Sequence, residues 1–244
     1  MSLPSKETVL VVGATGNIGV SAVKAVLQTG RHVLAVVRNE ASATKLFYHV
    51  GTTEGITTVL ADLSSESGVK NIVEQVKAGK LPAFQHVYAA AGGGYSATPL
   101  QDIGTEELRQ IMTVNFESNF WTYRATIPYL LHQNDPRSTW TLCTGSQGDL
   151  GARAPPALTQ GALFSLANVA CRDNYKTNVR FNEVYLALRV EVDESAAKTG
   201  AMKATDFAKC YAALLSSPEI RSSRVSVLSY DDLEILKYQT KVKL

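Results

Sequence analysis

The residues best suited to chemistry stand early in the chain: Gly13, Gly16 and Gly19, spaced by threes in Gly13-Ala14-Thr15-Gly16-Asn17-Ile18-Gly19. They follow the β-branched run Val9-Leu10-Val11-Val12 and open a stretch with apolar residues at Val20, Ala22, Val23, Val26 and Leu27, which is the order strand, glycine turn, helix. Such a turn suits a pyrophosphate. Gly13 permits the tight bend, Gly16 lets the backbone approach the phosphates, Gly19 lets helix and strand pack closely, and the helix N-terminus offers free N–H groups. Gly13, Thr15, Gly16, Asn17, Ile18 and Gly19 are therefore candidate dinucleotide contacts. The competing reading, a turn with no ligand, is weakened by the position of the motif in the first βα unit of an α/β chain.

The end of the second strand selects the dinucleotide. An acidic residue there accepts from a ribose 2′-OH, whereas an arginine pairs with a 2′-phosphate. Val36-Val37-Arg38-Asn39 has the arginine, so NADP(H) is expected over NAD(H), against the alternative that Arg38 is an ordinary solvated charge. Asp62, in Val59-Leu60-Ala61-Asp62-Leu63, closes the third strand and could accept from an adenine amino group. Its alternative role is the N-cap of the next helix, a part that Ser64 or Ser65 could also take.

These groups need a sheet to hold them. Short β-branched runs alternate with longer amphipathic stretches, which predicts strands near 8–12, 32–37, 56–60, 85–90, 138–144, 178–187 and 224–229. Helices are expected near 17–29, 40–50, 64–78, 104–133, 157–175 and 203–216. No linker, charge block or repeat divides the 244 residues, so the expected fold is a single doubly wound, Rossmann-type α/β domain over 1–244. Its parallel sheet of about seven strands is flanked by helices on both faces. Ligands bind such sheets at the carboxyl ends of the strands.

Composition excludes several other classes. With 24 basic and 22 acidic residues the net charge is +2, too little for a phosphate-backbone field, so no nucleic acid partner is expected. Apolar runs stop at about five residues, far short of the roughly 20 that span a bilayer, so no membrane partner is expected either. Met1 to Thr8 has no signal or transit pattern, and Cys143, Cys171 and Cys210 are odd in number and widely spaced. A cytoplasmic location is expected. His32, His49, His86 and His132 are isolated in sequence, so no metal site is expected.

From about Thr8 to Tyr230 the chain resembles the short-chain dehydrogenase/reductase superfamily. The Gly-x-x-Gly-x-x-Gly turn is of that type, Asp62 sits where the family's adenine-contacting aspartate does, and Ala89-Ala90-Ala91-Gly92 stands where the family has Asn-Asn-Ala-Gly. Thr113-Val114-Asn115-Phe116 is similar to the segment whose asparagine holds a water in the proton relay, and Thr205-Asp206-Phe207-Ala208 resembles the segment before the last strand. The resemblance implies Leu63, Ala90, Ala91 and Gly92 as further cofactor contacts and Asn115 as a catalytic group. It also implies a small-molecule substrate, and a homodimer or homotetramer formed through helices 104–133 and 157–175.

The chain departs from that pattern at the family's tyrosine and lysine. Aligned on Ala162-Leu163-Phe164-Ser165, Pro156 stands at the tyrosine and Gln160 at the lysine, and no Tyr-x-x-x-Lys exists between Cys143 and Cys171. Proline has no acidic proton and glutamine no charge to stabilise a phenolate, which removes a contribution typically worth about 10² to 10⁴ in rate. In Thr144-Gly145-Ser146, Ser146 or Thr144 could take the serine's role, although Gly145 is the closest positional match, and Val184-Tyr185-Leu186-Ala187-Leu188-Arg189 lacks the Pro-Gly expected beside the nicotinamide.

Replacement chemistry could come from Tyr95 at the end of the Gly92-Gly93-Gly94 loop, from Asp149 and Arg153, or from Tyr185 and Arg189. Each has a plain alternative: Asp149 shapes a turn, Arg153 is solvated, Tyr185 fills space. Asn115, Asn119 and Tyr123 share one helix face, with Tyr123 expected to pack. The segment Val190 to Thr205 is short for a substrate lid, which fits a bulky substrate or a lid borrowed from a neighbouring copy.

Three functions compete. In the leading one, an NADP(H)-dependent reductase delivers hydride to an iminium ion or activated carbonyl, an acceptor that needs positioning and electrostatics more than an acid, with a carboxylate such as Asp149 stabilising the cation. The others are a non-redox cyclase or isomerase on the same scaffold, and an NADP(H)-sensing regulatory protein without turnover.

Overall fold

The computed structural model of the chain describes residues 6–93 and 95–242. Strands β1 (Thr8–Val12), β2 (His32–Val37), β3 (Ile56–Leu60), β4 (His86–Ala89), β5 (Thr139–Gly145) and β6 (Arg180–Leu186) alternate with helices. These are α1 (Asn17–Gln28), α2 (Glu40–Val50), α3 (Ser67–Lys77), α4 (Thr105–Met112), α5 (Ser118–Gln133), the single turn α6 (Gln147–Leu150) and α7 (Ala154–Asp173). The chain continues through β7 (Val190–Glu191), α8 (Asp193–Thr199), β8 (Met202–Lys203), α9 (Ala204–Leu215), β9 (Ser223–Val227) and β10 (Lys237–Thr240).

The main sheet has eight strands in the order β10-β9-β6-β5-β4-β1-β2-β3, one more than the seven expected. The addition is β10, which turns back antiparallel on β9, while every other pairing in the sheet is parallel. From β1 the chain winds outward through β2 to β3, then returns to β4 on the other side of β1. The crevice between β1 and β4 is thus the switch point where such sheets bind ligands.

Period-two alternation sorts the strand residues into two cores. Val9, Val11, Val33, Ala35, Val184 and Val225 meet Val20, Val23 and Val26 of α1 and Phe207 and Leu214 of α9. Leu10, Val12, Val36, Val87, Trp140, Leu142 and Phe181 meet Ile72 of α3, Leu130 of α5 and Leu163, Ala167 and Ala170 of α7. Both faces are covered, which is why the central strands β1 and β2 read as nearly continuous apolar runs.

Other boundaries differ from the expected ones for local reasons. The stretch 104–133 is two helices joined by a π-helical turn at Thr113–Glu117, and α7 begins at Ala154, taking Pro155 and Pro156 into its first turn, where no N–H is needed. Helix α3 starts at Ser67 because Asp62 to Ser65 forms a turn, and Gly68 comes so close that a methyl group there would stand 2.1 Å from the Asp62 carbonyl oxygen.

At the amino ends of the strands, Glu7 ties the sheet together. Its carboxylate lies 2.7 Å from Arg31 Nε, 2.7 Å from an Arg137 nitrogen and 3.3 Å from Nε2 of the buried His86, whose Nδ1 is 3.0 Å from Thr139 Oγ1. The His86 hydrogen bond, followed by Arg31, holds the Glu7 carboxyl at about 2 against the opposing effect of burial. A depressed carboxylate contributes its full stabilisation above its unfolded value of 4.5 and loses it as pH falls toward 2. Glu7→Gln is expected to cost up to about 3 kcal/mol at pH 7 and to flatten the fall in stability between about pH 5 and 3, read by urea unfolding at stepped pH. An unchanged slope would remove Glu7 from the acid response.

Candidate functional site

The glycine turn crosses the carboxyl end of β1 at the switch point. Its three glycines are there for different reasons. Gly13 has φ +83°, and a methyl group on it would stand 2.6 Å from the Ala90 carbonyl oxygen and 2.9 Å from the Ala91 nitrogen. A methyl group on Gly19 would lie 2.0 Å from the Gly13 carbonyl oxygen. On Gly16 it would meet only that same oxygen, at 3.5 Å, so the chain's own packing leaves its outer side open. Gly13 and Gly19 are required by the fold; Gly16 leaves room in front of α1.

That room faces an unneutralised helix end. No side chain caps α1, no acid lies in its first turn, and its first amides have no intrahelical acceptor. Gly16 and Asn17 are exposed, Thr15 and Ile18 half-buried. Asn17 Oδ1 accepts from Val192 N at 3.1 Å, so the Asn17 side chain serves the segment after β7 while its backbone remains at the turn. A cradle that needs Gly16 empty and a helix end that lacks an anion both fit a bound pyrophosphate.

Further along the crevice, Arg38 is exposed one residue beyond β2 and makes no ion pair among the described residues. Its charge reaches Asp62, whose carboxyl is lowered first by hydrogen bonds from the Ser64 hydroxyl and amide and then by Arg38. Asp62 Oδ1 accepts from Ser64 N at 2.9 Å and Ser64 Oγ at 2.6 Å, so one oxygen shapes the turn and the hydrogen-bond pattern leaves Oδ2 uncommitted. Leu63 packs inward against the α3 core.

Beyond β4, the chain is clamped to the π-helical turn. Asn115 is buried there, its Oδ1 accepts from Gly93 N at 2.8 Å, and its Nδ2 has no partner. Asn119 donates to the Ala91 and Asn115 carbonyls, both at 2.8 Å. The extra residue of the π turn turns Asn115 toward Gly92 and Gly93, and the orphaned Nδ2 is a donor waiting for an acceptor. Tyr123 packs, as expected, edge-on against Trp140 and Phe181 and accepts from Asn174 Nδ2. Tyr95 is exposed; Gly94 of the same loop lies outside the described residues.

At the end of β5, Gly145 N donates to Gln160 Oε1 at 2.7 Å, and Ser146 N donates to the Leu186 carbonyl at 3.0 Å. Thr144 Oγ1 is committed to Glu183 Oε1 at 2.7 Å, whereas the nearly buried Ser146 hydroxyl makes no hydrogen bond among the described residues. Asp149 and Tyr185 lie together, but with a third group that sequence reasoning missed. Arg224 of β9 lies over both the Phe164 ring, 4.6 Å away, and the Tyr185 ring, 4.7 Å away, with a guanidinium nitrogen 3.8 Å from Asp149. The same guanidinium grips the fully buried Glu183 at 3.0 and 3.1 Å. Burial and the Asp149 carboxylate push the Tyr185 phenol up, so at neutral pH it is a hydrogen-bond donor. The signal that could have exposed this cluster is Glu183 itself, a carboxylate in the middle of a buried strand that must find a cation.

Arg153 and Arg189 remain exposed, Arg189 paired with Glu191. The 190–203 segment is folded onto its own chain: Lys24 meets Asp193 at 3.0 Å, Tyr48 OH donates to Glu194 at 3.1 Å, and Thr205 N donates to Asp193 at 2.9 Å. Among the described residues no group of three or more His, Cys, Asp and Glu is placed to hold a metal, and no helix is long and apolar enough to cross a membrane.

A doubly wound sheet with a glycine cradle at its switch point defines a dinucleotide-binding α/β protein. Comparison with known proteins narrows this. The family model described as short chain dehydrogenase matches residues 7–189. The short-chain dehydrogenase/reductase iacG of Pestalotiopsis fici (strain W106-1 / CGMCC3.15140) is 53% identical over 240 residues, 96% of each chain, and the protochlorophyllide reductase of Avena sativa is 28% identical over 165 residues, 65% of this chain and 52% of that one. The crystal structure of a dehydrogenase/reductase from Sinorhizobium meliloti 1021 superposes with a TM-score of 0.77 at 18% identity, over 92% of this chain and 94% of that one. The chain belongs to the short-chain dehydrogenase family, whose members are oxidoreductases that bind a nicotinamide cofactor, NAD or NADP, and act on small molecules. Membership does not favour the cyclase or sensor readings.

Proposed function

We propose that the protein is an NADP(H)-dependent oxidoreductase whose proton handling does not use the family's tyrosine–lysine pair, and that it reduces an imine, iminium or activated carbonyl of a bulky small molecule. The observation that carries the cofactor assignment is Arg38, a cation beyond β2 with no ion-pair partner among the described residues, where a 2′-phosphate would lie. Gly16 and the α1 amides would hold the pyrophosphate, Asp62 Oδ2 and the Leu63 backbone would meet the adenine, and Ala90, Ala91 and Gly92 would line the ribose. When bound, the reduced nicotinamide supplies hydride.

Around the substrate, this chain's own groups orient and hydrogen-bond. Gln160 supports the reading of an altered relay, because its oxygen accepts from Gly145 N, a bond that lysine, with no acceptor, cannot make. Ser146 and the unpartnered Asn115 Nδ2 hold the substrate oxygen or a water, and Tyr185 donates from the far side with Asp149 beside it. Tyr95, exposed on the loop after β4, closes over the opening. An iminium already carries the charge that a carbonyl gains on protonation, so this set is sufficient for it. We further place the whole chain 1–244 in one cofactor-binding domain, acting in the cytoplasm. The exposed Phe120, Leu131, Leu158 and Val169 on α5 and α7 support a homodimer or homotetramer.

Calorimetric titration with NADPH, NADP, NADH and NAD tests the assignment. Wild-type protein is expected to prefer NADPH, and Arg38→Ala to weaken NADPH by ten- to a hundredfold, about 1.4 to 2.8 kcal/mol, with NADH unchanged. Equal loss for both cofactors, or none, would overturn the 2′-phosphate contact. Loss of reduced-nicotinamide absorbance against a panel of imines and activated carbonyls then tests turnover; binding without any transfer would sink the reductase.

A further inference from the structure

We propose that Glu107 is a positioning residue: together with Asn115 it pins the loop after β4 at both ends and so holds Tyr95 over the crevice as one wall of the substrate mouth. The inference rests on the reading that this crevice takes the substrate beside the cofactor.

The loop opens on Gly92-Gly93-Gly94, a run with no side chain to anchor it and the largest loss of backbone freedom on ordering. It therefore needs external ties. At the near end, Gly93 N donates to Asn115 Oδ1 at 2.8 Å. At the far end a single carboxylate oxygen gathers two hydroxyls: Glu107 Oε1 accepts from Ser96 Oγ at 2.7 Å and from Thr98 Oγ1 at 2.8 Å. Hydrogen bonds to a carboxylate are the stronger kind, and Ser96, Thr98 and Glu107 are all half-buried. Both ties come from one helical run. Glu107 stands on α4 and Asn115 in the π-helical turn that continues it, each four residues from the buried Ile111. Tyr95, 59% exposed, lies between the two ties. On a free glycine loop its phenol would wander; on a loop held at both ends it is confined beside the switch point.

The plain alternative is that Glu107, an acid in the first turn of α4, only complements the positive end of that helix. Glu106 separates the two roles. It lies in the same first turn, is exposed, and pairs with Arg109 at 2.8 Å, with no hydrogen bond to the loop among the described residues.

Hydrogen–deuterium exchange and steady-state kinetics on the full-length wild type, Glu107→Ala, Glu107→Gln and Glu106→Ala test the proposal. Glu107→Ala is expected to speed exchange of the Gly93 amide and the amides of 95–98 at least tenfold while the α4 amides keep their rates. With an imine or activated carbonyl that the wild type turns over, KM is expected to rise at least fivefold and kcat to stay within twofold. Glutamine keeps an acceptor oxygen for both hydroxyls, so Glu107→Gln is expected to restore both readouts, and Glu106→Ala to match the wild type. Unchanged loop exchange in Glu107→Ala overturns the proposal, as does faster exchange with KM unchanged. Faster exchange across α4 as well, the same loop effect in Glu106→Ala, or no rescue by glutamine assigns the effect to charge at the helix end and overturns it too. If the wild type turns over no member of the panel, the reductase reading fails and takes the substrate role with it, while the exchange comparison still decides whether Glu107 holds the loop.

Discussion

Gly19→Ala is expected to destabilise the fold severely, whereas Gly16→Ala leaves the fold intact and removes cofactor binding. The two glycines sit three residues apart in one motif, yet the structure asks different things of them. The methyl group on Gly19 would be driven to 2.0 Å from the Gly13 carbonyl oxygen and 2.7 Å from Ala14 Cα, both backbone atoms that cannot rotate away. Relief requires α1 to lift from β1, opening the contacts of Val20 and Val23 in the first core, and overpacking of that kind costs more than about 3 kcal/mol. Gly16 has φ −77°, a value open to alanine, and its methyl group would meet one oxygen at ordinary contact distance. Loss of a glycine N-cap costs less than about 1 kcal/mol. The methyl group does, however, occupy the space in front of the α1 amides, so nicotinamide dinucleotide affinity is expected to fall at least tenfold. Guanidinium unfolding and calorimetry on the two variants read the contrast. Full cofactor affinity in Gly16→Ala would deny that the pyrophosphate crosses this turn.

The same contrast shows why the amino-terminal half was legible in the sequence. Strands β1 and β2 are nearly continuous apolar runs, α1 is amphipathic, and the glycine spacing is itself the geometry. Strand β10 was not legible, because Lys237–Thr240 is short and exposed at every position and carries no alternation to read. The π turn was hidden inside a continuous helical pattern: an inserted residue shifts the phase without leaving a marker of its own. The start of α7 could have been found, since prolines are tolerated in a first helical turn and Pro155-Pro156 therefore marks a beginning and not a loop. At the candidate site, the positions of Arg38, Asp62 and Asn115 at the crevice could be read from strand ends and a known motif, while their roles belong to the proposal. Arg224 was not, because its partners Glu183, Phe164 and Asp149 come from three other elements, and only the strand pairing of Glu183 with Arg224 brings them together.

That pairing carries the other large effect. Glu183 is fully buried at mid-strand in β6 and accepts from Arg224 Nε at 3.0 Å, from its terminal nitrogen at 3.1 Å and from Thr144 Oγ1 at 2.7 Å, with Lys241 also in contact. Glu183→Ala deletes the carboxylate that, among the described residues, joins Arg224 to Lys241, and is expected to destabilise the protein by about 3 to 5 kcal/mol, because the penalty is that of leaving charges desolvated and under-paired. If that is the cause, removing the charges as well should recover much of the loss. Glu183→Leu combined with Arg224→Met and Lys241→Met is expected to be more stable than Glu183→Ala alone, and urea unfolding of the set measures the coupling. A triple variant no better than Glu183→Ala would mean that the carboxylate matters through its shape and its Thr144 bond. The Arg224→Met change also strips the cation from over the Phe164 and Tyr185 rings. The Tyr185 phenol, already pushed up by burial and by Asp149, then loses the one neighbouring charge that lowers it. Its titration, followed by labelled-tyrosine NMR, is therefore expected to move further upward in Arg224→Met and downward in Asp149→Asn. Opposite signs in the two variants would show that strand β9 reaches the chemistry at the end of β6 through this one side chain.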